Sequence, residues 1–240
     1  MSDIYFDSSK IKHIDSEYVA FIDIMGTKTH MEHSIFETAN FIFKLHAAVL
    51  SACKSEKYKN VFIYPVMDGA YITASNRQDM EKLLVRIFDS LASIFLTESD
   101  LNKRFSVQAG LAYGDIIHGH RISYSASKIF ELDLAYKNYI LLGSAMIKAY
   151  ELSSTASPFG IAIADNAVKS TIHKKHGFDE GWKWYSGSLI KSTTDIPQLL
   201  NELKSFFMAF KDDSHPLHYA SEKTDEHINR VKKYFNVPES

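Results

Sequence analysis

The sequence predicts an α+β fold of the ferredoxin-like kind, a central antiparallel sheet flanked by helices. Three observations carry this. An apolar run, Tyr18-Val19-Ala20-Phe21-Ile22, leads to Asp23 and breaks at Gly26. Two β-rich runs meet at Met67-Asp68-Gly69, and Asp-Gly between such runs marks a tight hairpin. Helical patterns fill the gap before the hairpin and the gap after it, up to a third β-like run at Phe105 to Tyr113. Strand, helix, hairpin, helix, strand is the order such a sandwich requires.

In chain order, residues 1–15 are polar and irregular and read as an N-terminal arm; residues 16–240 read as one domain with a C-terminal helical extension. The first strand runs over 18–25. His33 to Lys54 lacks Gly and Pro and spaces Ile35, Phe36, Ala39, Phe43, Leu45, Ala47, Val49 and Leu50 as a long helix would, covering one sheet face. Asn60 to Tyr64 and Ala70 to Ala74 form the hairpin arms. Pro65 cannot donate to a ladder, which predicts an edge or a bulge there. Asn76 to Leu96 is amphipathic, with Leu83, Leu84, Ile87, Phe88, Leu91, Ile94 and Phe95 on one stripe. The strand from Phe105 is expected to turn at Gly114-Asp115 into Ile116-Ile117-His118. Gly119 to Ile140 reads as a long loop with room for a short helix and as a candidate subunit contact. A helix follows from Gly143 to about Ser153, then a strand at Phe159 to Ala164. Asp165 is expected to cap a helix over Asn166 to Lys175. Trp182 to Tyr185 reads as a short half-buried strand, and Ile196 to Phe210 and Thr224 to Phe235 as closing helices.

At 240 residues the chain can bury a sizeable core, and its net charge of -2 gives no electrostatic case for nucleic acid or an anionic membrane. The single cysteine, Cys53, excludes an internal disulfide and a Cys-rich zinc site, in keeping with a reducing cytoplasm. The N-terminal stretch has no basic-then-apolar leader pattern, and no apolar run approaches the length of about 20 residues that a membrane span needs. The expectation is a cytoplasmic protein with no membrane and no nucleic-acid partner.

Chemistry centres on the two aspartates. Asp23 and Asp68, each raised at the end of a strand, could share a pair of divalent cations. The plainer alternatives are an Asp that caps a helix and an Asp that only makes a turn. Between them, Ile24-Met25-Gly26-Thr27 offers a glycine and small residues where backbone could approach phosphate. The set Phe21-Ile22-Asp23-Ile24-Met25-Gly26, helix, then a hairpin bearing Asp68-Gly69, resembles the catalytic core of class III nucleotidyl cyclases. Val107 to Gly119 is similar to that family's glycine-rich strand and turn, and Leu142 to Tyr150 to its helix start. The likeness runs in order over about residues 18–165.

The resemblance implies that a nucleoside triphosphate is cyclised by attack of its ribose 3′-hydroxyl on the α-phosphate, with loss of pyrophosphate. It implies two Mg²⁺ or Mn²⁺ ions held by Asp23, Asp68 and the Ile24 carbonyl, nucleotide contacts from Phe21, Gly26, Thr27 and Tyr64, and a homodimer with sites between protomers. It also exposes departures. Where adenylate cyclases carry a base-reading Lys stands Tyr64, and where they carry an Asp stands Ile140. A phenol that narrows the pocket suits a pyrimidine, so the chain most resembles the Pycsar pyrimidine cyclases, antiphage enzymes that make cyclic UMP or cyclic CMP for an effector; the plainer alternative is that Tyr64 is a β-former packed on the sheet. UTP is favoured over CTP. Where the family often has a charge-stabilising Asn and Arg stand Ile147 and Glu151; Arg104, Arg121 and Lys148 are candidate substitutes. Gln108 stands where a basic residue often precedes the strand glycine. The alternatives are a degenerate cyclase-fold nucleotide sensor and a purine cyclase. His173 with His176 lacks a completing carboxylate and reads as a surface helix end, and His215-Pro216-Leu217-His218 reads as a loop.

Overall fold

The computed structural model describes residues 6–168, 177–211 and 220–236. Its sheet has six strands in the order β2-β3-β1-β4-β5, with β6 alongside β4. β1 (Asp15–Ile24) lies at the centre, antiparallel to β3 (Gly69–Ala74) on one side and to β4 (Val107–His118) on the other. β2 (Val61–Val66) forms an edge, where the missing N–H of Pro65 costs no ladder bond. β5 (Leu141–Gly143) pairs with the far end of β4, and β6 (Gly160–Ile163) runs parallel to β4. The order 2-3-1-4 is the ferredoxin-like arrangement expected from the sequence.

Helices cover the sheet unequally. One face packs α2 (Ile35–Lys54), α3 (Arg77–Thr97) and α6 (Ile196–Ala209) into a large core containing Ile22, Phe41, Phe88, Phe95, Phe206 and Trp184. The other face is thinner: Val19, Phe21, Tyr64, Tyr71 and Ala112 meet Ala145 and Ala149 of α5 (Ser144–Ser153). α7 (Ser221–Tyr234) packs on α6. The α3 stripe is as predicted, with Ile94 only half-buried and Asn76 capping the helix through its side chain.

Several expectations are corrected. The long helix predicted over His33 to Lys54 is α2, which begins at Ile35; a separate short helix, α1 (Thr27–His33), precedes it, and the two part at Ser34, whose hydroxyl accepts from the Glu37 N–H at 3.3 Å. The inward face of α2 is Thr38, Phe41, Leu45, Ala48, Val49 and Ala52, while Phe36 and Phe43 are 87% and 72% exposed. Apolar residues occur on both sides of this helix, so spacing alone did not select the face. No turn occurs at Gly114-Asp115. β4 runs straight through, because β1 begins at Asp15 and supplies partners: Asp15 opposes Ile116, Ser16 opposes Asp115, and Glu17 opposes Gly114. The Ser16 hydroxyl also donates to Asp115 at 2.7 Å.

Trp182 to Tyr185 is not a strand. Trp184 starts a short 3-10 turn, lies fully buried, and donates its indole N–H to the Phe159 carbonyl at 2.7 Å. Asp165–Ala167 is a 3-10 turn rather than a capped helix, and the remainder of that predicted helix beyond Val168 lies outside the described residues. Within Gly119 to Ile140 the short helix is α4 (Leu134–Asn138). The arm holds a 3-10 turn at Ser8–Lys10 and is tied to this segment by Asp7 N–H donating to the Ala126 carbonyl at 2.8 Å.

Candidate active site

Sheet register brings the two aspartates together. Asp23, one residue before the end of β1, lies opposite Gly69 of β3 and opposite Gln108 of β4. Val66 pairs with Gly69, so the hairpin turn consists of Met67 and Asp68 alone, and Asp68 is chain neighbour to the residue facing Asp23. The glycine of the Asp-Gly pair is therefore not the turn residue; Met67 takes the positive φ of 47°. Gly69 has a different duty. A Cβ there would lie 2.7 Å from the Ile22 carbonyl oxygen and 2.9 Å from the Phe21 ring, so only glycine lets the hairpin close onto the end of β1.

The electrostatics record this convergence. Burial, followed by the negative charge of Asp68, pushes the Asp23 carboxyl up from 3.8 to about 6, while hydrogen bonds from the Gln108 side chain and the Ile24 backbone pull the other way. The Ile24 carbonyl already accepts from the Thr27 hydroxyl at 3.1 Å and retains a second lone pair. Gly26, at φ 77°, caps α1. Asp23, Gly26, Thr29 and Gln108 border a cavity of about 480 Å³ whose far wall is Lys223 and His227 of α7.

The remaining site residues fall elsewhere. Phe21 is packed in the thinner core, its ring 4.6 Å from Tyr71 and 5.3 Å from Tyr150. Tyr64 is 3% exposed, with its hydroxyl 2.5 Å from His118 Nδ1; burial pushes its pKa far up. It walls a second cavity, of about 400 Å³, with Phe62, His120, Asn138 and Tyr139. Ile140 neighbours that wall and gives its carbonyl to Gly119 N–H at 2.8 Å.

The cationic substitutes differ in availability. Arg104 is engaged by Glu202 and by the Glu98 carbonyl, both at 2.6 Å. Arg121 is engaged by Asp15 and lies 4.0 Å from Glu17. Lys148 is half exposed on α5, only 3.9 Å from Glu151, and stays available for a ligand. Ile147 and Glu151 are exposed on the same helix. His173, His176, His215 and His218 lie outside the described residues.

Sequence reading missed three features. Gln108 donates to Asp23, which its position in register could have signalled. α7 reaches the Asp23 cavity, for which the sequence carries no signal. Asp15, Glu17 and His118 bring one ligand atom each within 4.8 Å of one another, an acidic grouping able to hold a metal, on strands that pair there because β4 runs straight through Gly114. No helix among the described residues is long and apolar enough to cross a membrane.

No family model and no curated protein matches the chain. Solved structures do. The guanylyl cyclase domain of the RhoGC fusion protein from the aquatic fungus Blastocladiella emersonii, a double mutant in monomeric form, shares 14% identity over 64% of this chain and 82% of that one, with a TM-score of 0.49. The guanylate cyclase domain of RhGC from Catenaria anguillulae, in complex with GTP, shares 15% over 64% and 81%, at 0.47. An adenylate cyclase structure from Trypanosoma brucei, in the monomeric state, shares 14% over 63% and 73%, at 0.45.

Proposed function

We propose that the chain is a metal-dependent nucleotidyl cyclase acting on a pyrimidine nucleoside triphosphate, UTP ahead of CTP. The observation that carries this is the convergence of Asp23 and Asp68, strong enough that one carboxyl raises the pKa of the other. Two carboxylates and a peptide carbonyl are hard oxygen donors that suit Mg²⁺ or Mn²⁺, and a cation between the carboxylates would offset the burial and the repulsion that lift Asp23. Asp23, Asp68 and the Ile24 carbonyl would hold the ions. Once bound, these would supply Lewis acidity toward the triphosphate and the ribose 3′-hydroxyl.

The chain's own residues do the rest. Gln108 orients the Asp23 carboxylate through its side-chain hydrogen bond. Tyr64 sets the size of the base pocket by occupying, with a rigid ring, the place of a flexible Lys. Exposed Leu134, Tyr136, Tyr139, Leu142, Ile147 and Tyr150 give a second copy an apolar surface to cover, which supports the homodimer. The cyclic pyrimidine nucleotide would serve as a second messenger in antiphage defence, acting on an effector that binds it.

The test is to incubate the purified chain with each of UTP, CTP, ATP and GTP and Mn²⁺, and to identify products by mass. A cyclic pyrimidine monophosphate with pyrophosphate is expected, and its loss in Asp23→Ala and Asp68→Ala. Tyr64→Lys is expected to move preference toward ATP; unchanged preference removes Tyr64 as selector. One observation favours a second reading, a nucleotide sensor without turnover: α5 presents Ile147 and Glu151 where a stabilising charge would serve. Binding of nucleotide with no product from any of the four would establish that reading.

A further inference from the structure

Tyr64 is not an isolated wall residue. Its hydroxyl lies 2.5 Å from Nδ1 of His118, which is fully buried, and the opposite ring nitrogen of His118 lies 3.3 Å from Oε1 of Glu17, itself 2% exposed. The three residues come from β2, β4 and β1, so the chain of contacts crosses the sheet. Around it stand Arg121, in contact with Asp15 and 4.0 Å from Glu17, and the rings of Phe62 and His120, 4.8 and 5.0 Å from the His118 ring. Arg121 supplies positive charge to the two carboxylates, the role a cation would otherwise have in this grouping.

We infer that Glu17 and His118 are positioning residues that lock the Tyr64 ring in the base pocket; the inference rests on the cyclase reading above. A carboxylate only accepts, and two lone pairs facing each other at 3.3 Å would repel, so His118 Nε2 carries the proton. In the neutral imidazole Nδ1 is then an acceptor, and the Tyr64 O–H donates to it. The phenol cannot swing aside for a larger base without leaving Nδ1 of the fully buried His118 unpaired, which costs more than the bond itself contributes. Selection against purines therefore depends on residues behind the wall as much as on the wall. With its O–H given to Nδ1, the phenol oxygen keeps lone pairs that can accept from an N–H of a base edge.

The test compares wild type with His118→Leu, which removes the acceptor, His118→Asn, whose side-chain oxygen stands near the place of Nδ1, and Glu17→Gln. Dissociation constants for UTP and ATP in the presence of Mn²⁺ are read by calorimetry, and melting curves certify folding. His118→Leu is expected to narrow the preference for UTP over ATP by about tenfold, mainly through tighter ATP binding, and His118→Asn to restore much of it. Nitrogen-15 spectra of wild type are expected to show His118 in the Nε2–H tautomer, with its Nδ1 signal displaced in Tyr64→Phe; this readout needs no turnover and does not depend on the leucine variant folding. An unchanged UTP to ATP ratio in folded His118→Leu, or an Nδ1–H tautomer in wild type, overturns the lock while leaving the cyclase reading in place. Wild type that binds no nucleotide overturns both.

Discussion

Replacing Asp23 by Asn should stabilise the metal-free protein at neutral pH. The Asp23 carboxyl sits near 6 in the fold against an ordinary 3.8, so the folded state holds its proton more tightly than the unfolded chain does. The sign follows: the ionised carboxyl is a full burden above about pH 6, a shrinking one as pH falls, and none below 3.8. At ~1.4 kcal/mol for each tenfold change in proton affinity, the upper bound is ~3 kcal/mol. The group is only partly buried, and solvent screening reduces this to roughly 1–2 kcal/mol. For a domain of this size that is roughly 2–8 °C in Tm. The assay is thermal melting in chelator, with Asp23→Asn expected to melt above wild type at pH 7.5 and the gap to close toward pH 4. Mn²⁺ should reverse the order, because only wild type retains both carboxylates. Equal melting at pH 7.5 in chelator, or a gap that widens as pH falls, would refute the reasoning.

Two further predictions concern other parts of the fold. Glu81 on α3 has no exposure, pairs with Arg77 at 2.9 Å and accepts from the Ser188 and Leu189 N–H groups at 3.0 and 3.3 Å. Glu81→Ala leaves Arg77 with Asp179, at 3.2 Å, and strands two peptide donors, and should cost ~2–4 kcal/mol in urea unfolding; a loss under 1 kcal/mol would mean water replaces the carboxylate there. The paired change Ile147→Glu with Tyr150→Glu, on exposed apolar positions of α5, should halve the mass seen by light scattering without lowering Tm, whereas an unaltered mass would place the subunit contact elsewhere.

How much was legible in the sequence follows from how local each signal is. The α3 stripe and the hairpin arms could be read directly, because burial on one side leaves a clean period in the sequence. The buried face of α2 could not, since Phe36 and Phe43 recur at a helical interval facing outward just as Phe41 and Leu45 do inward, and only the sheet decides between them. The supposed turn at Gly114-Asp115 failed for a related reason. Glycine before aspartate is a turn signal in isolation, and it was overridden by strand partners from Asp15 to Glu17, a hundred residues away in sequence. That misreading hid Glu17 and His118 as well, because they face each other only when β4 continues past Gly114.

The aspartate pair reads in the sequence as one shared site, but the register that brings the two carboxylates together does not. A strand shifted by one residue would point Asp23 to the opposite face of the sheet. What prevents this is distributed: Ile22 in the large core and Phe21 in the thinner one fix which side each residue of β1 takes, and Gly69 allows the hairpin to approach closely enough for Asp68 to act on Asp23. The site is thus specified by residues that bear no charge at all. A larger side chain at Gly69 would separate the carboxylates while leaving both present, and the Asp23 pKa, raised first by burial and then by Asp68, would fall only by the share that the repulsion contributes.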